Sequence, residues 1–205
     1  MTVCDLDQPS FSYGSNSETQ TNSDRAKIYA RKQNGELLLV RVLSSHCPVE
    51  SDSSITNIGT LTTDQSLQWL KPYALGTSEH ASDALAAIAL HEGDAALRLL
   101  QKTAREHTLR ETRKNAVFWL AQIRLDQSRA FLKDVMLNDN SEQIRRHALF
   151  SYAQSKAQDR DSVLISVIEN PKFDRDERKN ALFWLVQTES SAAINYVSEL
   201  LQATD

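Results

Sequence analysis

Nine residues at matched positions carry most of the chemistry the sequence offers. Lys114, Phe118 and Gln122 are spaced i, i+4 and i+8, and the same three-part text returns as Arg146, Phe150 and Gln154 and again as Lys179, Phe183 and Gln187. At about 100° per residue such positions share one face of a helix. A cation, an aromatic ring and an amide repeated in register suit a recognition surface, because rings supply anchoring area while Arg, Lys or Gln supply orientation. The same text also suits packing, with the phenylalanines lodged between neighbouring helical pairs and the glutamines bonded to backbone of the next unit. Both readings stand at this level. The first makes these nine residues the candidate binding set.

Elsewhere the chemical vocabulary is thin. There is no Gly-rich phosphate loop, no GxSxG, no HExxH and no repeated pair of carboxylates. His46, His80, His91, His107 and His147 are scattered, and none has a carboxylate or Cys at ligand spacing on a shared face beyond the weak set of His91 with Glu92 and Asp94. His147 takes the place of Asn115 and Asn180 in its sister segments, which suggests a polar rim position. Asp159 to Asp161 and Asp174 to Glu177 read as charge-rich loop text with capping roles. Cys4 and Cys47 are the only thiols, and without a CxxC or a Cys/His cluster a zinc site is not expected. The expectation is a protein with no catalytic residues, no metal and no cofactor.

The elements that must position the nine residues are helical. The chain has 205 residues, 23 Lys and Arg against 27 Asp and Glu, and 40% hydrophobic content, enough to bury a core. A net charge of -4 argues against a chain-wide field for nucleic acid or anionic lipid. No apolar run approaches the roughly 18 residues of a membrane span, and MTVCDLDQPS has the blocks of no signal peptide. Pro9–Asp24 is polar text expected to be flexible. Two strand-like runs, 26–32 and 36–43, flank Asn34-Gly35, a strong hairpin-turn signal. One hairpin is marginal alone and needs further strands or a helix to cover it. Thr62-Thr63-Asp64 then opens a helix over 64–74, whose Trp69 is available to cover the start of the array that follows.

From Ser78 onward the text repeats. Ala84, Ala116, Ala148 and Ala181 mark equivalent positions separated by 32, 32 and 33 residues, and a second helical segment lies between each pair of blocks. The fold class expected is mainly α: an α-solenoid of about four helical hairpins with a small N-terminal β-hairpin element. Its repeats fall at about 79–109, 110–140, 141–172 and 173–205, preceded by an N-terminal element over 1–60. On the wheel of residues 113–123, Ala116, Leu120 and Ile123 form the core arc, flanked by Trp119. Trp119 and Trp184 alternate with Ala87 and Ser151, as large and small core residues do.

Asp139, Arg145 and Ala148, with the parallel Arg113 and Ala116 and Arg178 and Ala181, resemble the short HEAT-like repeat. The blocks R-x-x-A-x-F-W-L-x-Q, with VRVLSSHC and DQSLQWL before them, are similar to a group of poorly characterised bacterial HEAT-repeat proteins. The first unit departs from the pattern, with Ala81, Ala87 and Leu90 at positions where later units carry Arg, Trp and Gln, which suits a terminal cap. The resemblance implies that Arg113, Arg145 and Arg178 are structural and pair with acidic groups of neighbouring loops, such as Asp139, Asp174 or Asp176. It also implies export, with a leader and part of the N-terminal region outside this sequence, and in that setting a Cys4–Cys47 disulfide. Closing a loop of that length stabilises by about 4 kcal/mol in the chain-entropy picture. Two free thiols in a cytoplasmic protein are the alternative.

The function that follows is a non-enzymatic module binding a protein or peptide partner on the repeat surface, with envelope signalling as one setting. Two rivals remain: a bilin-lyase-like chromophore handler, since some short HEAT-like proteins resemble those enzymes, and a solenoid that cradles nucleic acid through its cationic rows.

Overall fold

A computed structural model of the protein describes residues 3–7, 26–77 and 80–202, so the polar stretch Pro9–Asp24 lies outside the described residues. The fold is mainly helical, with nine helices and two small two-stranded sheets among the described residues. Two compact units divide it, Met1–Ala96 and Leu97–Asp205. The division lies well beyond residue 60 because two helices pack with the strand region and belong to its unit.

In the first unit, strands β2 (Ala26–Gln33) and β3 (Glu36–Ser44) form the expected antiparallel hairpin, each one residue longer than the sequence suggested. Asn34 and Gly35 take φ of 52° and 85°, the left-handed pair that a two-residue turn between twisted strands requires. The register slips by one between Arg31 and Lys32, giving a bulge at Leu38, while Leu37 and Val40 are buried. Two strands cannot seal an apolar face by themselves. Helix α2 (Ala81–Ala89) packs on β3 and on helix α1 (Thr63–Ala74). Its text ASDALAAIA is mostly small and apolar after Asp83, and every residue from Ala84 to Ala89 is buried. Helix α1 starts where Thr62 and Gln65 cap one another reciprocally, at 3.3 and 2.9 Å.

A second pairing went unanticipated. Strand β1 (Cys4–Asp5) runs parallel to β4 (Val49–Glu50), with Cys4 opposite Val49, and each strand is too short to leave a periodic signal. The Cys4–Cys47 disulfide forms beside it with its Cα atoms 6.1 Å apart.

Helix α3 (Asp94–Glu106) crosses the division, and the second unit continues through α4 (Arg110–Gln122), α5 (Leu125–Asn138), α6 (Glu142–Ala153), α7 (Arg160–Glu169), α8 (Arg175–Val186) and α9 (Ser191–Gln202). Consecutive helices pair as hairpins, α4 with α5, α6 with α7 and α8 with α9, while α4 also packs on α6 and α6 on α8. Ala116, Ala148 and Ala181 are fully buried, as a small side chain in a close-packed helix interface is. Leu120, Leu132, Ile144, Tyr152, Leu164 and Leu185 fill the space around them.

Candidate functional site

The nine stripe residues differ in exposure along the row of helices. On α4, Lys114, Phe118 and Gln122 are all half-buried; on α6, Arg146 and Phe150 are half-buried and Gln154 is exposed; on α8, Lys179, Phe183 and Gln187 are all exposed. The gradient follows the neighbours. The Gln122 amide donates to the Ser151 carbonyl on α6 at 3.4 Å, and the Phe150 ring lies 5.2 Å from Trp184 on α8. Those contacts are the packing role for one glutamine and one phenylalanine. Phe183, 53% exposed, lies beside Trp184, with ring centroids 4.9 Å apart. No uniform three-lane surface results.

Part of the set does come together. Lys114 of α4 and Gln143, Arg146, His147 and Phe150 of α6 line a shallow open recess of about 310 Å³. Residues 143, 146, 147 and 150 are spaced i, i+3, i+4 and i+7, one helical face, and that spacing was the signal for Gln143 and His147 that an i, i+4, i+8 reading passes over. Gln122 and Gln154 do not line it. Lys114 pairs with Glu111 at 3.0 Å, and Arg146 pairs with Glu142 at 2.7 Å and lies 3.8 Å from Asp174. Arg146 Nε and His147 Nε2 are buried without a hydrogen-bond partner. Both atoms are sealed from solvent, and a buried polar atom left unpaired costs roughly 1–3 kcal/mol. Burial first, and then the Lys114 charge, hold the His147 imidazole below its usual pKa, against the opposing pull of the Lys114 backbone and the Glu111 carboxylate. The Phe150 ring, 5.6 Å from the His147 ring, forms the apolar wall.

The arginine series behaves differently from the stripe. Arg113 donates through Nε to the Ala104 carbonyl at 2.8 Å and ion-pairs with Asp139, whose side chain is almost fully buried. Arg145 donates to Glu177 at 3.0 Å and to the Asp139 carbonyl at 3.0 Å. Its partner is therefore Glu177, missed in the sequence because that residue is masked as helix N-terminal text. Glu177 also closes a capping box with Asp174, whose carboxyl is held low chiefly by the Glu177 backbone N–H. Arg178 was expected to pair likewise, yet it is exposed and makes no ion pair among the described residues, because no helix after α9 there supplies a carboxylate. Trp119 is buried at 6% exposure as expected of core, whereas Trp184 is only half-buried for the same reason. A second cavity of about 550 Å³ lies at the turns before α6 and α8, lined by Arg145, Asp139, Lys172 and Phe173 among others. Its Arg145 and Asp139 are already committed to partners.

Asp159, read as loop text, is instead a junction. It accepts from Lys133 at 2.6 Å and Arg129 at 3.2 Å on α5 and from the buried Tyr152 hydroxyl at 2.7 Å on α6. Partial burial pushes its carboxyl up, but the hydrogen bonds from Lys133 and Tyr152 and the two cations outweigh it, and the net pKa lies below the usual carboxylate value. Burial, then Asp159 itself, pushes the Tyr152 phenol well up.

In the first unit, Asp7 accepts an ion pair from Arg31 and the Asp52 N–H at 2.6 Å, and its carboxyl is held low first by the Arg31 hydrogen bond. His91 lies 2.8 Å from the Ala87 carbonyl through Nδ1 and 2.8 Å from the Ser66 hydroxyl through Nε2, tying α1 to α2 through a partner the sequence did not suggest. Ser66 is 8% exposed, which fits a tie between helices. Trp69 stacks on Tyr73 at 5.1 Å under the Lys32 ammonium of β2. Among the described residues no group of three His, Cys, Asp or Glu is placed to hold a metal ion, and no helix is long and apolar enough to cross a membrane.

No family model, curated protein or solved structure matches the chain. The candidate site therefore rests on the recess between α4 and α6 and on the helices that shape it.

Proposed function

We propose that the protein is a non-enzymatic interaction module, a HEAT-like α-solenoid that binds a protein or peptide partner on its repeat surface. The observation that carries this reading is the recess where Lys114 meets Arg146, His147 and Phe150, an open site that joins a half-buried ring to cations from two neighbouring helices. A frame of packed helices keeps such anchors in place before binding, so little ordering is needed when a partner arrives. Export to an oxidising compartment goes with this reading, supported by the Cys4–Cys47 disulfide. The nucleic-acid alternative draws no support from rows in which Lys114 and Arg146 each face a glutamate of their own helix.

Affinity capture from the native compartment with wild type beside Phe150→Ala tests the proposal. Partners retained by wild type and lost by the variant, with only a modest fall in thermal stability, are the expected result. A large loss of stability with the same partners still captured overturns it and leaves Phe150 as core.

A further inference from the structure

Resting on the reading of this face as a binding surface, the geometry points to a specific ligand class: the recess between α4 and α6 recognises a carboxylate next to an apolar side chain, as in an acidic segment of a partner protein. Lys114 and Arg146 bring two positive groups from neighbouring helices to one recess. Their present partners are glutamates at i−3 and i−4 on the same helices, Glu111 with its side chain 76% exposed and Glu142 with its side chain 49% exposed, and Asp174, 51% exposed and 3.8 Å from Arg146. Solvated pairs of that kind contribute little, so an incoming carboxylate exchanges for them readily. Arg146 holds the Glu142 oxygen through Nη2, while its Nε is sealed from solvent. A carboxylate that takes the two terminal nitrogens together makes the two-bond fork for which a guanidinium is shaped, in place of a single bond to Glu142. His147 lines the recess, and because burial holds its imidazole below its usual pKa it does not add repulsion to the two cations.

The apolar part of the ligand is set by Phe150. Its ring is wedged between Trp184 at 5.2 Å and His147 at 5.6 Å, so a side chain laid on it meets a wall that does not have to be ordered first. A nucleic-acid backbone fits less well. The two cations already sit beside Glu111, Glu142 and Asp174, which repel a polyanion more than a single carboxylate.

The test titrates the full chain with two N-acetylated, C-amidated peptides, Glu-Leu-Phe-Glu and its amide counterpart Gln-Leu-Phe-Gln, followed by NMR shifts of the His147 and Phe150 rings. The acidic peptide is expected to bind at least about tenfold more tightly. Arg146→Lys, which keeps the charge and removes the fork, and Lys114→Gln should each erase most of that preference while thermal unfolding stays near wild type. Equal affinity for the two peptides overturns the inference, as does a preference for acid that survives both substitutions. Tighter binding of a short DNA duplex than of the acidic peptide also overturns it. Should both peptides bind alike and Phe150→Ala abolish both, the acid specificity fails while the broader reading of a peptide-binding face stands. If neither peptide moves either ring, the inference fails on its own, and the captured partners decide the broader reading.

Discussion

RKNAVFWLAQ on α4 and RKNALFWLVQ on α8 are nearly the same text, yet they live in different surroundings. On α4, Arg113 reaches the buried carboxylate of Asp139, Phe118 is half-buried and Trp119 is 6% exposed. On α8, Arg178 and Phe183 are exposed and Trp184 is half-buried. Both helices bury the motif's central alanine completely, so the local fold is the same. What differs is the next pair of helices: α6 and its turn cover α4, and nothing among the described residues does the same for α8. The energy of a repeat motif is thus shared with its neighbour, and identical residues contribute different amounts according to what lies against them.

The largest expected difference is in the tryptophans. Trp119→Ala removes a ring from a sealed site and should cost about 3–5 kcal/mol, whereas Trp184→Ala should cost roughly half of that, since much of its surface already faces water. Equilibrium urea unfolding of the two variants measures both. Equal costs would break the comparison, because they would mean that the motif and not its neighbour sets the energy.

Next come the arginines. Arg145→Ala leaves Glu177, with a side chain only 4% exposed, as a buried carboxylate without its counter-charge, and should destabilise by about 2–3 kcal/mol. Arg178→Ala should stay within about 0.5 kcal/mol, as surface changes do. A double substitution of Arg145 and Glu177 that recovers stability relative to Arg145→Ala would sharpen the point, by showing that the stranded charge and not lost packing is the cost.

Much of this contrast was legible in advance, and the reasons for the exceptions are physical. The alanine period located the helical units, and the helix boundaries follow it, because a close helix contact admits only a small side chain. Asn34-Gly35 marked the hairpin because few other pairs adopt its turn. The β1–β4 pairing left no trace, since two residues cannot show a period. At the candidate site, Lys114, Arg146 and Phe150 were visible, but Gln143 and His147 share the α6 face through an i, i+3, i+4, i+7 spacing that the i, i+4, i+8 reading passes over. Glu177 and Asp159 were hidden for a related reason: their partners Arg145 and Lys133 lie on neighbouring hairpins, 32 and 26 residues away, at distances no local pattern encodes.

A smaller effect, readable as a pH profile, belongs to the junction at Asp159. Its pKa in the folded state is below the ordinary carboxylate value, so the folded protein binds a proton there less readily than the unfolded chain does. The stabilisation is fully present above the unfolded pKa near 3.8 and is lost as pH falls through the lower folded value. Asp159→Asn should therefore lower the unfolding midpoint at neutral pH and flatten its decline in the acid range. An unchanged acid limb would show that Arg129, Lys133 and Tyr152 are held by other contacts. The exposed end offers no equivalent junction: Lys179 and Arg178 have no acidic partner among the described residues, and neutralising either should leave the acid limb as it is.

The smallest effect lies in two turns that solve one problem differently. Between α2 and α3 the chain needs a left-handed residue and uses Gly93, at φ 86°; between α8 and α9 it places Glu189 there, at φ 51°. A side chain in that region crowds its own carbonyl, a cost of order 1 kcal/mol that glycine avoids, although glycine also adds entropy to the unfolded chain. The gain from Glu189→Gly is then about 0.5 kcal/mol, a rise of a few degrees at most in the thermal midpoint. Gly93→Ala should run the other way by about 1 kcal/mol, although nothing lies within 4 Å of the added methyl, because the strain is in the backbone itself. If Glu189→Gly instead destabilises, the glutamate side chain is making a contact that outweighs the strain, and the open end of the row is better supported than its exposure implies.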